Sequence, residues 1–211
     1  MTRPELHRAA TAVGLDTGRD LGVAIEDRVM LDAAGEAIAR RQRPQIATSW
    51  NRLFEMLGAA LGDGPYHLGK DLVHVSQDRV AVVAHFADGT SAEGDVLVGA
   101  DGLRSAVRAQ YQPEIRPLYA GYVAWRALLD ERAAVPVLTQ ELFDAFSFHL
   151  PPGEQFLGYP VAGPDNDLRE GRRSWNIVWY RPADEASELP RLLTDEIGRK
   201  DFPVFARGVT P

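Results

Sequence analysis

Three consecutive strand-like segments between residues 72 and 98 constrain the fold of this chain most strongly. Leu72–Ser76, Val80–Phe86 and Ala92–Val98 are rich in apolar and β-branched residues, and an Asp88-Gly89 pair separates the last two. Asp-Gly pairs favour tight turns between antiparallel strands. The pattern predicts a small sheet, and it places the sequence Val-Gly-Ala-Asp-Gly at residues 98–102 directly at the end of a buried strand.

Helical and strand patterns flank this region. A helix is predicted after Pro4, ending at Gly14, and a second over "TSWNRLFEMLGAALG" at 48–62, where a Thr/Ser cap precedes leucines at helical spacing. Short apolar runs predict a strand or hairpin near residues 23–40, and the following "RRQRP" at 40–44 is interpreted as a charged loop stopped by proline.

The chain becomes rich in aromatic residues after residue 113. Apolar segments separated by Pro, Gly or charged turns predict an antiparallel sheet there, and "ELPRLLTDEIG" at 188–198 predicts a short amphipathic helix. We therefore expect a mixed α/β fold.

Composition narrows the range of functions. The 211 residues carry a net charge of −7, which disfavours a polyanion-binding surface and hence nucleic acid as a partner. The chain has no Cys, which excludes disulfides and thiolate metal sites and suits a reducing compartment, so a cytoplasmic location is expected. No apolar window approaches membrane-spanning length, and the five His are too scattered to predict a metal site.

The segment "GDVLVGADGLRSAVR" at 94–108 has the residue pattern of a ligand-binding turn. Gly99 and Gly102 permit tight backbone geometry, and Asp101 can accept hydrogen bonds from sugar or ribityl hydroxyls. Ser105 and Arg108 add polar groups on the next turn. An Asp-Gly pair alone indicates only a turn, so the specificity lies in the longer pattern.

This segment resembles the second FAD-contact motif of the class A flavoprotein aromatic hydroxylases, the relatives of para-hydroxybenzoate hydroxylase. The segments "YAGYVAWRALLDE" and "GYPVAGPDND…RRSWNIVWYRP" are similar to the dihydroxypyridine hydroxylase branch. The resemblance implies a monooxygenase in which NAD(P)H reduces FAD and the reduced flavin, with oxygen, hydroxylates an electron-rich ring. The resemblance assigns Asp101 to the position that contacts the ribityl chain of FAD. It assigns four other residues to positions that shape the motif or bind the phosphates: Gly99, Gly102, Ser105 and Arg108. The family also has an arginine that contacts the flavin. In the preferred alignment Trp50 occupies that position, and Arg52 lies two residues after it.

The chain also departs from this family pattern. Members carry a Gly-x-Gly-x-x-Gly turn that holds the FAD pyrophosphate and a later Gly-Asp-Ala segment, and neither occurs in the 211 residues. We therefore expect an internal fragment, with residues 1–112 in a partial FAD-binding domain and 113–211 in a partial substrate-binding sheet domain. An exposed apolar face, and association or homodimerisation through it, would follow.

Aromatic and polar residues of the predicted sheet are candidates for an aromatic-substrate pocket. The candidates are His149, Trp125, Tyr159 and Trp179, with Arg126 and Tyr180 beside them. His149 is the best single candidate for contacting a ring hydroxyl, although aromatics on alternating strands are also ordinary core residues.

Two other functions stay open. In the first, the chain is a truncated, non-catalytic product or a binding module. In the second, it is part of another FAD-dependent oxidoreductase or of a halogenase. The identity of the ring and the choice between NADH and NADPH are not fixed by these motifs.

Overall fold

The computed structural model describes residues 4–15, 21–195 and 198 and confirms a mixed α/β fold. In chain order the elements are α1 (Pro4–Ala12), β1 (Val23–Leu31), β2 (Ala37–Ala47), α2 (Trp50–Leu61), β3 (Leu72–Gln77), β4 (Val82–Phe86), β5 (Ser91–Gly94), α3 (Ala106–Tyr111), β6 (Tyr122–Asp130), α4 (Glu131–Phe143), β7 (Phe146–His149), β8 (Gln155–Val161), β9 (Ser174–Pro182) and α5 (Glu188–Leu192).

The described residues form two compact units. One contains those up to Gly62 together with those from Gly121 on, and the other is Asp63–Ala120. These units do not follow the predicted boundary after residue 112, because β1 and β2 belong to the large sheet of the first unit. The assignment of a flavin domain and a substrate domain stays a prediction.

A six-stranded mixed sheet organises the first unit. Its strand order is β2-β1-β7-β8-β9-β6, and every neighbouring pair is antiparallel except β1 and β7, which are parallel. The buried cluster on one face contains residues from five segments: Ile25, Ala47, Phe146, Leu157, Val161 and Val178. The antiparallel sheet predicted after residue 113 is therefore present, and the hairpin predicted near residues 23–40 extends it.

The interpretation of "RRQRP" as a loop is wrong, because residues 40–44 lie inside β2. This strand is at the edge of the sheet and, among the described strands, pairs with β1 alone, so its exposed charged side chains meet solvent. Pro44 falls in a register shift, between the pairs Ile25–Gln45 and Asp27–Gln42. Proline is tolerated in an edge strand at such an irregularity because no ladder hydrogen bond from its nitrogen is required.

The second unit contains an antiparallel sheet of β3, β4 and β5 with α3 against it. The side chain of Gln110 in α3 accepts a hydrogen bond from the Val75 backbone nitrogen at 2.8 Å and donates one to the Val75 carbonyl at 2.5 Å. The Gln110 amide thereby pairs with both backbone polar groups of Val75 in β3, as a neighbouring strand would.

The predicted buried strand at Val96–Val98 is wrong. β5 ends at Gly94, residues 95–100 adopt no regular strand, and Val96 and Val98 are 80% and 82% exposed. An apolar β-branched run forms a strand only where a second backbone pairs with it, and no described residue pairs with this segment. Asp101 therefore lies seven residues beyond a strand rather than at its end.

Two of the predicted helices have the expected ends. In α2 the Ser49 hydroxyl accepts a hydrogen bond from the Arg52 backbone nitrogen at 3.1 Å, and the helix stops at Gly62. α1 ends before Gly14, where φ is +79°. α5 covers only the start of the segment predicted at 188–198, of which residues 196 and 197 lie outside the described part.

α4 was not predicted. It contains Pro136 and a kink at Thr139, where φ is +65°, so its helical period is weak. It forms because Ala134 and Phe143 bury against Trp175 of the sheet. None of the helices in the described ranges is long and apolar enough to cross a bilayer.

Candidate functional site

The large sheet presents two chemically different faces, which strand register defines. Residues directly opposite each other on neighbouring strands share a face. On β9, Asn176 lies opposite both Leu128 of β6 and Tyr159 of β8, so these three side chains form one row. Arg126 lies opposite Val178 and belongs to the next row of the same face.

A cavity of about 700 Å³ opens on this face. Its floor is formed by Arg126, Leu128, Tyr159, Val161 and Asn176. The rest of the lining comes from residues 48–51 and Leu53 at the start of α2, from the turn after β8, and from Asp130 and Ser174. A volume of this size, lined by apolar side chains and a few polar groups, is typical of a small-molecule pocket.

An aromatic stack supports the phenol in this floor. The ring of Phe146 lies between Phe148 and Tyr159, at centroid distances of 4.7 and 4.6 Å. Burial raises the pKa of the Tyr159 hydroxyl, against the positive charge of Arg126, which lowers it. Tyr159 is therefore a neutral O–H group, able to donate a hydrogen bond, across the neutral pH range.

The floor also contains a donor without a partner. The Asn176 side-chain nitrogen is buried and makes no hydrogen bond. A buried amide of this kind costs stability unless an acceptor reaches it. Asn176 lies between Leu128 and Tyr159 in the same row of the floor.

A strained turn fixes the start of α2 at the cavity. Asn166 has φ of +55°, a conformation uncommon for residues other than glycine. The Ser49 hydroxyl donates a hydrogen bond to the side-chain oxygen of Asn166 at 3.3 Å, and the Asn166 side-chain amide donates one to Glu55 at 2.5 Å. The Arg52 guanidinium donates a hydrogen bond to the backbone carbonyl of Asn166 at 3.3 Å. Arg52, predicted to bind the cofactor, therefore has a contact within the first unit.

The four predicted substrate residues do not share a face. Tyr159 lines the cavity, whereas Trp125 and Trp179 oppose each other on the other face. His149 lies on that other face as well, opposite Phe156, and its Nδ1 is 3.1 Å from the Leu31 carbonyl oxygen. The Trp179 indole donates to Glu154 at 2.6 Å. His149 and Trp179 therefore have contacts of their own outside the cavity, and Trp125 lies beside Trp179 on the opposite face of the sheet.

The turn at 99–108 in the second unit is held by its own polar groups. The exposed Asp101 carboxylate accepts hydrogen bonds from the backbone nitrogens of Ala106 and Val107, at 2.7 and 3.2 Å. Hydrogen bonds, first from the Ser105 side chain and then from these backbone groups, lower the pKa of Asp101 against its partial desolvation. Asp101 is therefore an ionised acceptor at neutral pH.

The other predicted cofactor residues shape this turn. Ser105 is buried, and its hydroxyl caps α3 by accepting from the Arg108 nitrogen at 2.9 Å. The Arg108 guanidinium donates to the carbonyls of Gly102, at 3.2 Å, and Leu103. Gly102 has φ of +72°, and a Cβ on Gly99 would lie 2.9 Å from the Val107 Cβ. Gly102 is thus needed for backbone conformation and Gly99 for close packing.

Comparison with known proteins gives consistent matches. A family model described as FAD binding domain-like matches residues 119–207. A 2,6-dihydroxypyridine 3-monooxygenase from Paenarthrobacter nicotinovorans is 36% identical over 94% of this chain and 49% of its own length. The solved structure of 2,6-dihydroxypyridine-3-hydroxylase from Arthrobacter nicotinovorans superposes with a TM-score of 0.79 and 32% identity, over 94% of this chain and 50% of that one.

The chain is therefore similar in sequence and in structure to 2,6-dihydroxypyridine hydroxylases. An aurachin C monooxygenase/isomerase from Stigmatella aurantiaca is also similar, with 36% identity over 58% of this chain and 34% of its own length. The chain spans about half the length of the curated hydroxylase it matches over 94% of its residues. The family-model match covers the strands β6 to β9, and hence all five residues of the cavity floor.

Sequence reasoning missed two groups at the cavity. Asn176 is the one amide in the aromatic strand "SWNIVWY", a signal that local inspection could have found. Asn166 lies in a turn without a recognisable pattern, and only its contacts with α2 connect it to the cavity.

Proposed function

We propose that this chain contributes a ring-binding sheet and one FAD-contacting turn to an FAD- and NAD(P)H-dependent monooxygenase that hydroxylates an electron-rich aromatic or N-heteroaromatic ring. The observation that carries the proposal is the match to 2,6-dihydroxypyridine hydroxylases over 94% of the chain, in sequence and in structure. FAD would supply oxygen activation and hydroxyl transfer when bound.

The cavity on the large sheet would bind the ring. A planar ring needs apolar contact area together with a few polar groups that fix its orientation. Leu128 and Val161 offer the apolar contacts, and Tyr159 and Asn176 place polar side chains in the same floor. Trp125, Trp179 and His149 would support the sheet from its other face.

Asp101 would contact the cofactor. Its carboxylate is exposed and ionised, and it occupies an N-terminal turn fixed by two backbone hydrogen bonds. A fixed carboxylate fits the hydroxyl groups of a ribityl chain, which donate hydrogen bonds. Ser105, Arg108, Gly99 and Gly102 would act by keeping this turn in place.

Turnover with added cofactors tests the proposal. With saturating FAD, the chain should oxidise NADH or NADPH faster when 2,6-dihydroxypyridine is present, and mass spectrometry should find one oxygen atom from isotopically labelled dioxygen in the product.

Asp101→Asn should weaken FAD binding, measured by flavin fluorescence, whereas Asp78→Asn in the β3–β4 turn should not. NAD(P)H oxidation that a ring never stimulates would contradict the proposed activity. Incorporation of halide instead of oxygen would favour a halogenase.

We also propose that the chain associates with a second copy through α2. Trp50, Phe54, Leu57 and Leu61 form an exposed apolar stripe at helical spacing. Sedimentation velocity should show a dimer that the double substitution Phe54→Gln and Leu61→Gln weakens. Leu118→Gln, which removes an even more exposed apolar side chain elsewhere, should leave the dimer unchanged. An unchanged mass for the double variant would contradict this interface.

A further inference from the structure

We infer that His74 and His85 form a two-histidine binding site for a divalent transition-metal ion, such as Zn²⁺ or Cu²⁺, on the small sheet. The five histidines are scattered along the sequence, and strand pairing brings these two together. Both belong to the second unit, and neither lines the proposed ring cavity, so the site does not depend on the proposed function.

Strand pairing places the two imidazole rings side by side. His74 of β3 lies directly opposite His85 of β4. The rings are stacked, with centroids 4.2 Å apart and planes inclined by 14°. Two nitrogens bound to one tetrahedral zinc ion lie about 3.3 Å apart, because each Zn–N bond is about 2.0–2.1 Å long. A small tilt of the rings toward each other therefore brings one nitrogen of each ring to the same ion.

The face of the small sheet that carries these rings is open to solvent. Successive side chains of a strand point to opposite faces. Val75 and Ala84 are buried on one face, so the two histidines next to them in the sequence lie on the other. His74 is exposed and His85 is half-buried. An ion with its water ligands can therefore reach the rings without displacing a core side chain.

Ring nitrogens of both residues are available as ligands. His74 forms no hydrogen bond with any residue in the described part of the chain. In His85, Nε2 is 2.8 Å from the Ser76 hydroxyl oxygen. When Nε2 donates its proton to this oxygen, the lone pair of Nδ1 can bind the ion. A hydrogen bond to the second ring nitrogen is also what fixes the orientation of histidines that bind metals.

The ligand set determines which ion binds and how tightly. Imidazole nitrogens favour Zn²⁺, Cu²⁺ and Ni²⁺, whereas Mg²⁺ prefers oxygen ligands. Among the described residues, no group of three or more His, Cys, Asp or Glu side chains is arranged to hold a metal ion, so water would complete the coordination. Two protein ligands are half of a tetrahedral set. We therefore expect a Kd on the order of 10 µM, much weaker than that of a closed structural zinc site.

Titration calorimetry on the full 211-residue chain, prepared without an affinity tag, tests the site. Zn²⁺ should bind and Mg²⁺ should not. His85→Gln and His74→Phe should each raise the Kd for Zn²⁺ at least about tenfold, because loss of even an outer-shell partner of a metal ligand costs about 10- to 100-fold. His74→Phe keeps an aromatic ring beside His85, so its effect reports the missing nitrogen and not the loss of stacking. His67→Gln is the matched control, because it removes an exposed histidine elsewhere in the same unit, and it should leave the Kd unchanged.

Electron paramagnetic resonance of bound Cu²⁺ counts the nitrogen ligands. The wild-type spectrum should show coupling to two imidazole nitrogens, and the spectrum of His74→Phe should show coupling to no more than one. Failure of Zn²⁺ to bind the wild-type chain below about 1 mM would overturn the inference, as would a Kd that His85→Gln or His74→Phe leaves unchanged. Neither result would bear on the proposed hydroxylase, whose ring cavity contains neither histidine.

Discussion

The ion pair of Glu131 and Arg173 joins the start of α4 to the start of β9. Glu131 is 2% exposed, and its Oε2 accepts from the Arg173 backbone nitrogen at 2.9 Å and from Nε at 3.0 Å. Arg173 also pairs with Asp144 at 2.8 Å and lies 5.0 Å from the centre of the Phe143 ring. Removal of the buried carboxylate would leave a buried cation with only one acidic partner.

We expect Glu131→Gln to lower the free energy of unfolding by about 3 kcal/mol, because breaking a buried pair costs more than the pair itself contributes. Glu141→Gln is the control on the same helix, where an exposed pair with Arg40 is lost and a change below about 1 kcal/mol is expected. Urea unfolding at pH 7 measures both values. Equal losses in the two variants would show that burial of Glu131 adds nothing.

The same pair predicts a pH dependence. Burial alone would raise the pKa of Glu131, but the hydrogen bonds and charge of Arg173 outweigh it and lower this pKa. A lowered folded-state pKa stabilises the protein above the unfolded-state pKa of about 4.3, and this contribution is lost as pH falls through the folded value. The stability difference between wild type and Glu131→Gln should therefore be constant near neutral pH and shrink below about pH 4. Urea unfolding over a pH series would refute this if the difference grew on acidification.

At the scale of elements, two glycines should respond oppositely to the same substitution. A Cβ on Gly158 of β8 would lie 2.2 Å from the buried ring of Trp175, whereas one on Gly58 of α2 would meet nothing within 4 Å. Gly158→Ala should destabilise by about 1–3 kcal/mol through overpacking. Gly58→Ala should stabilise by about 0.5–1 kcal/mol, because alanine loses less backbone entropy in a helix. Urea unfolding of both variants checks the signs, and a stabilised Gly158→Ala would show that the sheet accommodates the methyl group.

The packing of α4 shows how one element depends on another. Its kink at Thr139 and its internal Pro136 make an isolated helix unfavourable. Burial of Phe143 and the ion pair at Glu131 attach its two ends to the sheet. Tertiary contacts therefore stabilise a helix that local preference opposes.

At the scale of the whole molecule, we expect the isolated 211-residue chain to purify without bound flavin. The described turn offers Asp101 as its exposed charged group for the cofactor, and the sequence contains no Gly-x-Gly-x-x-Gly phosphate loop. Each charge-assisted hydrogen bond to an anionic ligand contributes about 1.5–3 kcal/mol, and about 1.4 kcal/mol is tenfold in affinity. The visible absorbance spectrum of the purified chain measures retained flavin. A yellow monomeric preparation with stoichiometric FAD would contradict this account of the affinity.

Local features of the fold were determined by the sequence alone. The cap at Ser49, the leucine spacing and Gly62 define α2 because helix signals lie within a few residues of each other. The Asp88-Gly89 turn between β4 and β5 is predicted for the same reason, since Gly89 takes φ of +81°. The motif around Asp101 was also located from its local pattern, although the Ser105 hydroxyl and the Arg108 guanidinium make their hydrogen bonds within the turn itself.

Only the tertiary structure decided which side chains share a site. Trp125 and Tyr159 were grouped by their chemistry, yet they lie on opposite faces, because a face is set by the register between strands far apart in sequence. The same register places Asn176 in one row with Leu128 and Tyr159, and it leaves β2 at an edge, where Pro44 and the arginines are tolerated. Local patterns determine where helices and turns form, but pairing between distant segments determines what each strand presents, and that pairing cannot be calculated from neighbouring residues.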